Sequence, residues 1–337
     1  PEHYSPAIQY RQKKSNSQTV DPLIDLASRI SSKLEEGDFK GAVRLACSSD
    51  TIADRDQDTL IALQQKHPLP PPDCAIPQPP HTIISSISIS EDDVVCAILS
   101  FPNGSAGGPD GLRPQHLKDM LRTNEDRGSR ALVKSLTDFI NLVLVGKVPA
   151  SVRPYFFGAS LIALKKKDGG IRPIAVGCTL RRLVAKCAGK SAKAVASTLL
   201  FPRQVGFGIK RGAEIAVHAA STYLHHLPQD HVMMKLDFKN AFNSIRRDKM
   251  LLAVQELAPS LYTFVHSVYS SPSFLFWNSE IIQSSEGVQQ GDPLGPLLFC
   301  LTIHKMCFEL KSEFCVFYLD VYFHVIALCS NHQWKEF

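Results

Sequence analysis

No run of eighteen or more apolar residues occurs in the 337 residues of this chain, so the sequence contains no helix suited to spanning a bilayer. The nine cysteines are odd in number and none stand as C-x-x-C, which argues against both a disulfide framework and a zinc module. That usage predicts a reducing, intracellular setting. The first residues, PEHYSPAIQYRQKK, lack the apolar segment of a signal peptide, and a start at Pro1 predicts a fragment or an incomplete reading frame. Acid is scarce in one place above all. Between Gly158 and Ala213, twelve basic residues face Asp168 alone, so this window carries +11 while the rest of the chain sums to −6. The overall +5 is therefore a cancellation, and the window is the footprint of a polyanion-binding surface or of a solvated basic face.

What is present suggests about two domains at roughly 150 residues each. Residues 1–67 read as a small helical region, clearest in SRISSKLEEGDFKGAVRLAC. Seven of the 22 prolines lie between His67 and His81, so residues 68–81 read as a semi-rigid linker. Ser90 is placed to cap a helix through EDDVVCAIL, and Pro114 suits the first turn of another. Leu132, Leu136, Phe139, Ile140 and Val143 have helical spacing, with Gly146 as the stop. These make 82–157 a helical stretch. Alternation in SLIAL, a turn at KKKDGG and the run IRPIAV predict a hairpin. A helix from Leu180 to Leu199 puts Leu180, Val184, Cys187 and Val195 on one face, and Arg182, Lys186, Lys190 and Lys193 on the other.

Three further landmarks carry candidate chemistry. HVMMKLD reads as a strand ending in Asp237, followed by a turn into a helix that continues to about Leu257. A carboxylate exposed there suits a divalent metal, with a helix cap or a surface ion pair as the competing reading. In SSEGVQQGDPLGPLLF, Asp292 and Pro293 suit a helix start, and Gly287 and Gly291 bracket a loop that another backbone or a base pair can approach closely. FYLDV places Asp320 inside an apolar run, where an acid is costly unless paired, metal-bound or at a tight turn.

Taken in order, LKKKDGGIRPIAVGCTLRRLVAK, QVGFGIKRGAE, LDFKNAFNSI, EGVQQGDPLGPLLF and FYLD are similar to the reverse transcriptase domain of non-LTR retrotransposons, and GGPDGLRPQHLKDM resembles the approach to it. The likeness runs from about Asn103 to Asp320. It implies an α+β fold of right-hand polymerase type, with antiparallel sheet and packed helices behind the small helical N-terminal region. Fingers would occupy 158–230, a partial palm 231–320, and a divergent tail 321–337. It implies RNA-directed DNA synthesis with two Mg²⁺ ions, an RNA template, a DNA primer and deoxynucleoside triphosphates, no membrane, and a nuclear site of action. On the matching positions, Asp237, the Phe238 carbonyl and Asp320 would hold metal, with Asp237 and Asp320 catalytic. Lys166 and Arg172 would hold the triphosphate, Phe242 would exclude a 2′-hydroxyl, and Gln290 and Gly291 would lie near the nascent base pair. The ring at Phe242 also disfavours an RNA-dependent RNA polymerase. Phosphate backbone would run over Arg182, Lys186, Lys190 and Lys193.

The chain departs from that pattern at Val321, where the family's hairpin has a second Asp. Nothing after it resembles the family's continuation, so the reading expects a frameshift, retained intron or premature stop near Val321. Little or no processive synthesis is then expected. The alternative is a non-catalytic nucleic-acid-binding remnant using the basic 165–211 surface.

Overall fold

The computed structural model describes residues 22–35, 37–47, 51–79, 87–121, 127–166, 168–202, 204–226, 231–309, 315–319 and 324–330. Its contacts divide the chain into Pro1–Ser48 and Ser49–Phe337. In the first unit, α1 (Pro22–Glu35) and α2 (Phe39–Cys47) are separated at Gly37, whose φ of 73° ends the first helix. Asp38 accepts from the Gly41 amide at 2.9 Å and pairs with Lys33 at 2.9 Å, so its carboxyl is held below the usual range.

The second unit runs β1 (Thr51–Ile52), α3 (Gln57–Gln65), α4 (Glu91–Leu99), α5 (Pro114–Leu121), α6 (Arg127–Leu144), α7 (Arg153–Phe156), β2 (Ala159–Lys165), β3 (Ile171–Gly177), α8 (Thr179–Leu200) and α9 (Gly212–His225). It continues with β4 (His231–Asp237), α10 (Ala241–Ser244), α11 (Arg247–Leu257), α12 (Pro259–Tyr269), β5 (Ser273–Trp277), β6 (Glu280–Ser284), α13 (Gly295–Glu309), β7 (Cys315–Leu319) and β8 (His324–Ser330). This is a mixed α and β chain. Among the described residues no helix is long and apolar enough to cross a membrane.

Local chemistry explains most boundaries. Ser90 and Asp93 form a reciprocal capping box at α4. Gly146, at φ 76°, follows α6 as the spacing predicts. On α8, Leu183, Val184, Cys187, Ala188 and Ala192 are buried at helical spacing. Together with α4, α5, α6, α11, α12 and α13, it encloses the larger core cluster, in which Ile98, Ile140, Met250, Leu261 and Leu297 are fully buried. The proline-rich segment is pinned to this body. Asp73 pairs with Arg246 at 2.8 Å, the Gln78 carbonyl accepts from the Tyr262 hydroxyl at 2.7 Å, and the Pro77 carbonyl lies 3.0 Å from His266 Nε2.

Two sheets complete the fold. In the five-stranded sheet β2 pairs with β3 over seven residues, antiparallel, from Ala159↔Gly177 to Lys165↔Ile171. The other edge of β2 pairs with β1 at its end and with β5, parallel, at its start, and β6 closes the sheet beside β5. Leu161, Leu275 and Trp277 turn inward to a second, smaller core cluster that also takes Leu63 from α3. The second sheet has the order β4-β8-β7, all antiparallel.

Ile98 is wholly buried where α4 meets its neighbours, whereas the adjoining Leu99 is 59% exposed. Ile98→Ala is expected to lower unfolding stability by about 2–5 kcal/mol. Leu99→Ala should change it by no more than about 0.5 kcal/mol. Urea denaturation of both variants checks the contrast.

Candidate functional site

The site is assembled from three segments that are remote in sequence. In the β2–β3 connection, the Lys166 amide donates to the Gly170 carbonyl at 2.8 Å, and Gly169 takes φ 79°. Lys166 is half-buried at this turn, and Arg172 is half-buried on β3 opposite Leu164.

After Asp237, the last residue of β4, the chain turns through Asn240 in the left-handed region. Asn240 suits that conformation because its short amide bonds locally. Its Oδ1 accepts from Asn243 Nδ2 at 3.1 Å, and its Nδ2 donates to the Lys66 carbonyl at 2.9 Å. The turn presents Phe238 and Phe242 to the same partner, Phe299 of α13, at ring distances of 6.2 Å and 5.8 Å. Phe242 stays half-buried, beside Gly295 at the start of α13.

The loop preceding α13 is stitched to both other segments. The Val288 amide donates to the Phe242 carbonyl at 2.7 Å, the Gly287 amide to the Ile245 carbonyl at 3.0 Å, and the Ala175 amide of β3 to the Gln290 carbonyl at 2.8 Å. Gly287, at φ 66°, lies where a Cβ would come within 2.3 Å of the Phe242 and Asn243 backbone. A Cβ at Gly291 would come within 2.2 Å of the Ala175 carbonyl oxygen. The close approach these glycines permit is to backbone on two sides.

Beneath the loop lies a buried polar network that the charge pattern did not reveal. Arg181 pairs with Asp292 at 2.8 Å and donates to the Phe157 carbonyl at 2.7 Å and to Gln289 Oε1. Asp292 also accepts from the Tyr269 hydroxyl at 2.5 Å, and from the Leu294 amide at 2.9 Å as it caps the turn into α13. Gln289 Nε2 donates to the Phe157 carbonyl and to Ser273 Oγ, both at 2.9 Å. Arg247 runs alongside, stacked 5.1 Å from the Tyr269 ring and donating to the Gly287 carbonyl and Ser284 Oγ at 2.9 Å each. Burial pushes the Arg247 guanidinium down to about 10. Burial presses Arg181 the same way, but Asp292 outweighs it and leaves Arg181 above its ordinary value. Burial, reinforced by Asp292, raises the Tyr269 phenol. One signal in the sequence does point to Arg181. Adjacent residues on a helix sit about 100° apart, so Arg181 and Arg182 cannot share the outer face.

On that outer face, two of the four basic residues hold the chain between α4 and α5, and a third pairs with the first turn of α4. Arg182 donates to the Ala106 carbonyl and to Thr179 Oγ1, and lies 5.6 Å from the Phe101 ring. Lys186 donates to Ser100 Oγ at 3.0 Å and lies 4.8 Å from the same ring, while Lys190 pairs with Asp93 at 3.0 Å. Lys193 is exposed.

The register of the second sheet relates the two candidate acids. Asp237 and Leu319 are both backbone partners of His324, so β4 ends level with the residue that precedes Asp320. At about 4.8 Å per strand, Asp237 and Leu319 stand roughly 10 Å apart at Cα. Asp320 and Val321 themselves lie outside the described residues, and for β4, β7 and β8 the description is of backbone. Among the described residues no group of three or more His, Cys, Asp or Glu side chains forms a metal site.

Residues 164–333 match the family described as reverse transcriptase (RNA-dependent DNA polymerase), a span that takes in β8 and the segment after Val321. The chain is 27% identical over 241 residues to the Retrovirus-related Pol polyprotein from type-2 retrotransposable element R2DM of Drosophila melanogaster, covering 67% of this chain and 21% of that protein. It is 26% identical over 244 residues to the Retrovirus-related Pol polyprotein from type-1 retrotransposable element R2 of Popillia japonica, covering 66% and 31%. The chain thus spans between a fifth and a third of the length of these relatives. A chain of a solved partial Cas6-RT-Cas1–Cas2 complex aligns with 70% of this chain and 38% of its own length, at 16% identity and a TM-score of 0.34.

Arg181→Met strands a buried carboxylate and is expected to cost about 3–5 kcal/mol. Combining it with Asp292→Leu should recover part of that loss, because both charges leave together. A double-mutant cycle on urea midpoints measures the coupling; additive losses would contradict it.

Proposed function

The chain belongs to the reverse transcriptase (RNA-dependent DNA polymerase) family, and we propose from this that it carries the fingers and palm of an RNA-directed DNA polymerase from a non-LTR retrotransposon. Fingers correspond to 158–230 and palm to 231–320, with 1–67, 68–81 and 82–157 leading in and 321–337 following. The observation that supports the proposal is the shared backbone register of Asp237 and Leu319 on His324, which brings the end of β4 level with the strand leading to Asp320.

In this reading Asp237, the Phe238 carbonyl and Asp320 are hard oxygen donors that suit Mg²⁺. Two such ions would supply activation of a primer 3′-hydroxyl and neutralisation of charge on the leaving pyrophosphate. Lys166 and Arg172 bind the triphosphate, since a cation and a planar donor fork both complement phosphate. Phe242, braced by Phe299 and by the backbone of Gly287, bars a 2′-hydroxyl and so selects deoxynucleotides. The backbone at Gln290 and Gly291, tied to β3, forms the floor on which template and incoming base pair. Lys193, with Arg182, Lys186 and Lys190, tracks the nucleic-acid backbone. Val321 in place of a second carboxylate weakens metal retention, so synthesis by this chain is weak.

Primer extension of oligo(dT) on poly(rA) with Mg²⁺ tests the proposal. The natural chain should extend little; Val321→Asp should extend measurably, and Asp237→Asn in that background should abolish the gain. Phe242→Ala in the same background should admit ribonucleotides. Filter binding of RNA should weaken steeply between low and moderate salt, through release of counterions from phosphate. Absence of extension by Val321→Asp, together with salt-insensitive binding, would overturn the reading.

A further inference from the structure

Among the described residues, only one face of the five-stranded sheet meets a core cluster. Side chains alternate along each strand, and the register shows which positions share the opposite face. Ile162, Ile174, Val176, Phe274, Phe276 and Ile281 all lie on it. None of the six belongs to, or packs against, either core cluster of the described residues. Ile281 is 55% exposed. A contiguous apolar face of this kind marks a binding surface.

Its aromatic content and charge indicate what it binds. Tyr155 of α7, 56% exposed, stands 5.0 Å from Phe274 at an interplanar angle of 86°. Phe274 in turn stands 6.4 Å from Phe276 at 81°. Edge-to-face contacts fix three rings in a row without stacking them in parallel. Ser160, Arg172 and Gln283 share the face, and no carboxylate occupies a position on it, because Glu280 pairs with Trp277 and so belongs to the other side. The β2–β3 turn adds Lys166 at one end, within the window that carries +11. A row of rings beside cations, free of acids, complements a strand with flat bases and a phosphate backbone better than it complements a protein surface.

We propose that this outer sheet face is a platform for a single-stranded polynucleotide, whose bases stack on Tyr155, Phe274 and Phe276 while its phosphates run towards Lys166 and Arg172 at the β2–β3 turn. The platform lies on a different sheet from Asp237 and shares only Lys166 and Arg172 with the proposed triphosphate site, and it rests on the reading of the chain as a nucleic-acid polymerase only in the class of its ligand.

The test is titration of the full chain with oligo(rA) and oligo(dA), each carrying one 2-aminopurine, whose fluorescence falls when it stacks on a ring. The natural chain should quench saturably with at least one strand. Tyr155→Ala and Phe276→Leu should each weaken binding by roughly 5- to 150-fold, the range for losing one base–aromatic stack. Tyr155 is exposed and leucine keeps apolar bulk at 276, so both variants should melt like the natural chain. Tighter binding of oligo(rA) would assign the platform to an RNA strand, and of oligo(dA) to a DNA strand. No quench by the natural chain, or affinity and quench unchanged in both variants, would overturn the platform while leaving the polymerase reading to the extension assay. Weakened binding in the variants, with no extension by Val321→Asp, would retain the platform and remove the polymerase reading.

Discussion

The Arg181–Asp292 pair is the constraint on which the rest of the architecture depends. An ion taken out of water carries a penalty of several kcal/mol, recovered only if its partner and all its donors are met. Here they are met from four directions: the carbonyl of Phe157 before β2, Gln289 and Asp292 in the loop before α13, and Tyr269 at the end of α12. Gln289 extends the same network to Ser273 on β5. Because none of these elements can shift without stranding a charge, the network fixes the loop of Gly287–Gly291 against β3 and against the turn at Phe242. The candidate site is thus positioned from beneath by groups that do not belong to it.

Much of the local structure was legible in the residues. The cap at Ser90, the hairpin of β2 and β3 and the span of α8 follow from capping chemistry or periodicity, whereas the single helix expected to run to Leu257 is two, α10 and α11, broken by extended backbone at Ile245 and Arg246. Other elements were not. β5 and β6 are five residues each, too short for alternation to stand out, and α12 is apolar around most of its circumference, which blurs its period. Nothing in a charge count marks Arg181 or Arg247 as buried, since such a count carries no information about burial. Arg182 and Lys186 of α8 spend donors on the chain around Phe101 and Lys190 pairs with Asp93 of α4, tertiary partners that helical spacing cannot anticipate.

The two glycines of the loop show a related limit. Their pattern announces that something comes close, but only the assembled fold identifies it as the carbonyl of Ala175 and the backbone of Phe242 and Asn243. Close approach on those sides leaves Gln290 half-buried, its carbonyl held by the Ala175 amide. The proline-rich segment likewise looked like a spacer, yet Asp73, Pro77 and Gln78 each contact α11, α12 or the residue before them.

The order β4-β8-β7 also bears on how the protein is made. β8 is the middle strand of its sheet, yet it is translated after both of its neighbours. On the ribosome, β4 emerges with its pairing edge uncovered and waits while α11, α12, β5, β6 and α13 are synthesised. Closing so long a loop is entropically slow, and an unpaired apolar strand is a template for association with other chains. The sheet bearing Asp237 can therefore close only after β8 has been made, the last of its strands to be translated.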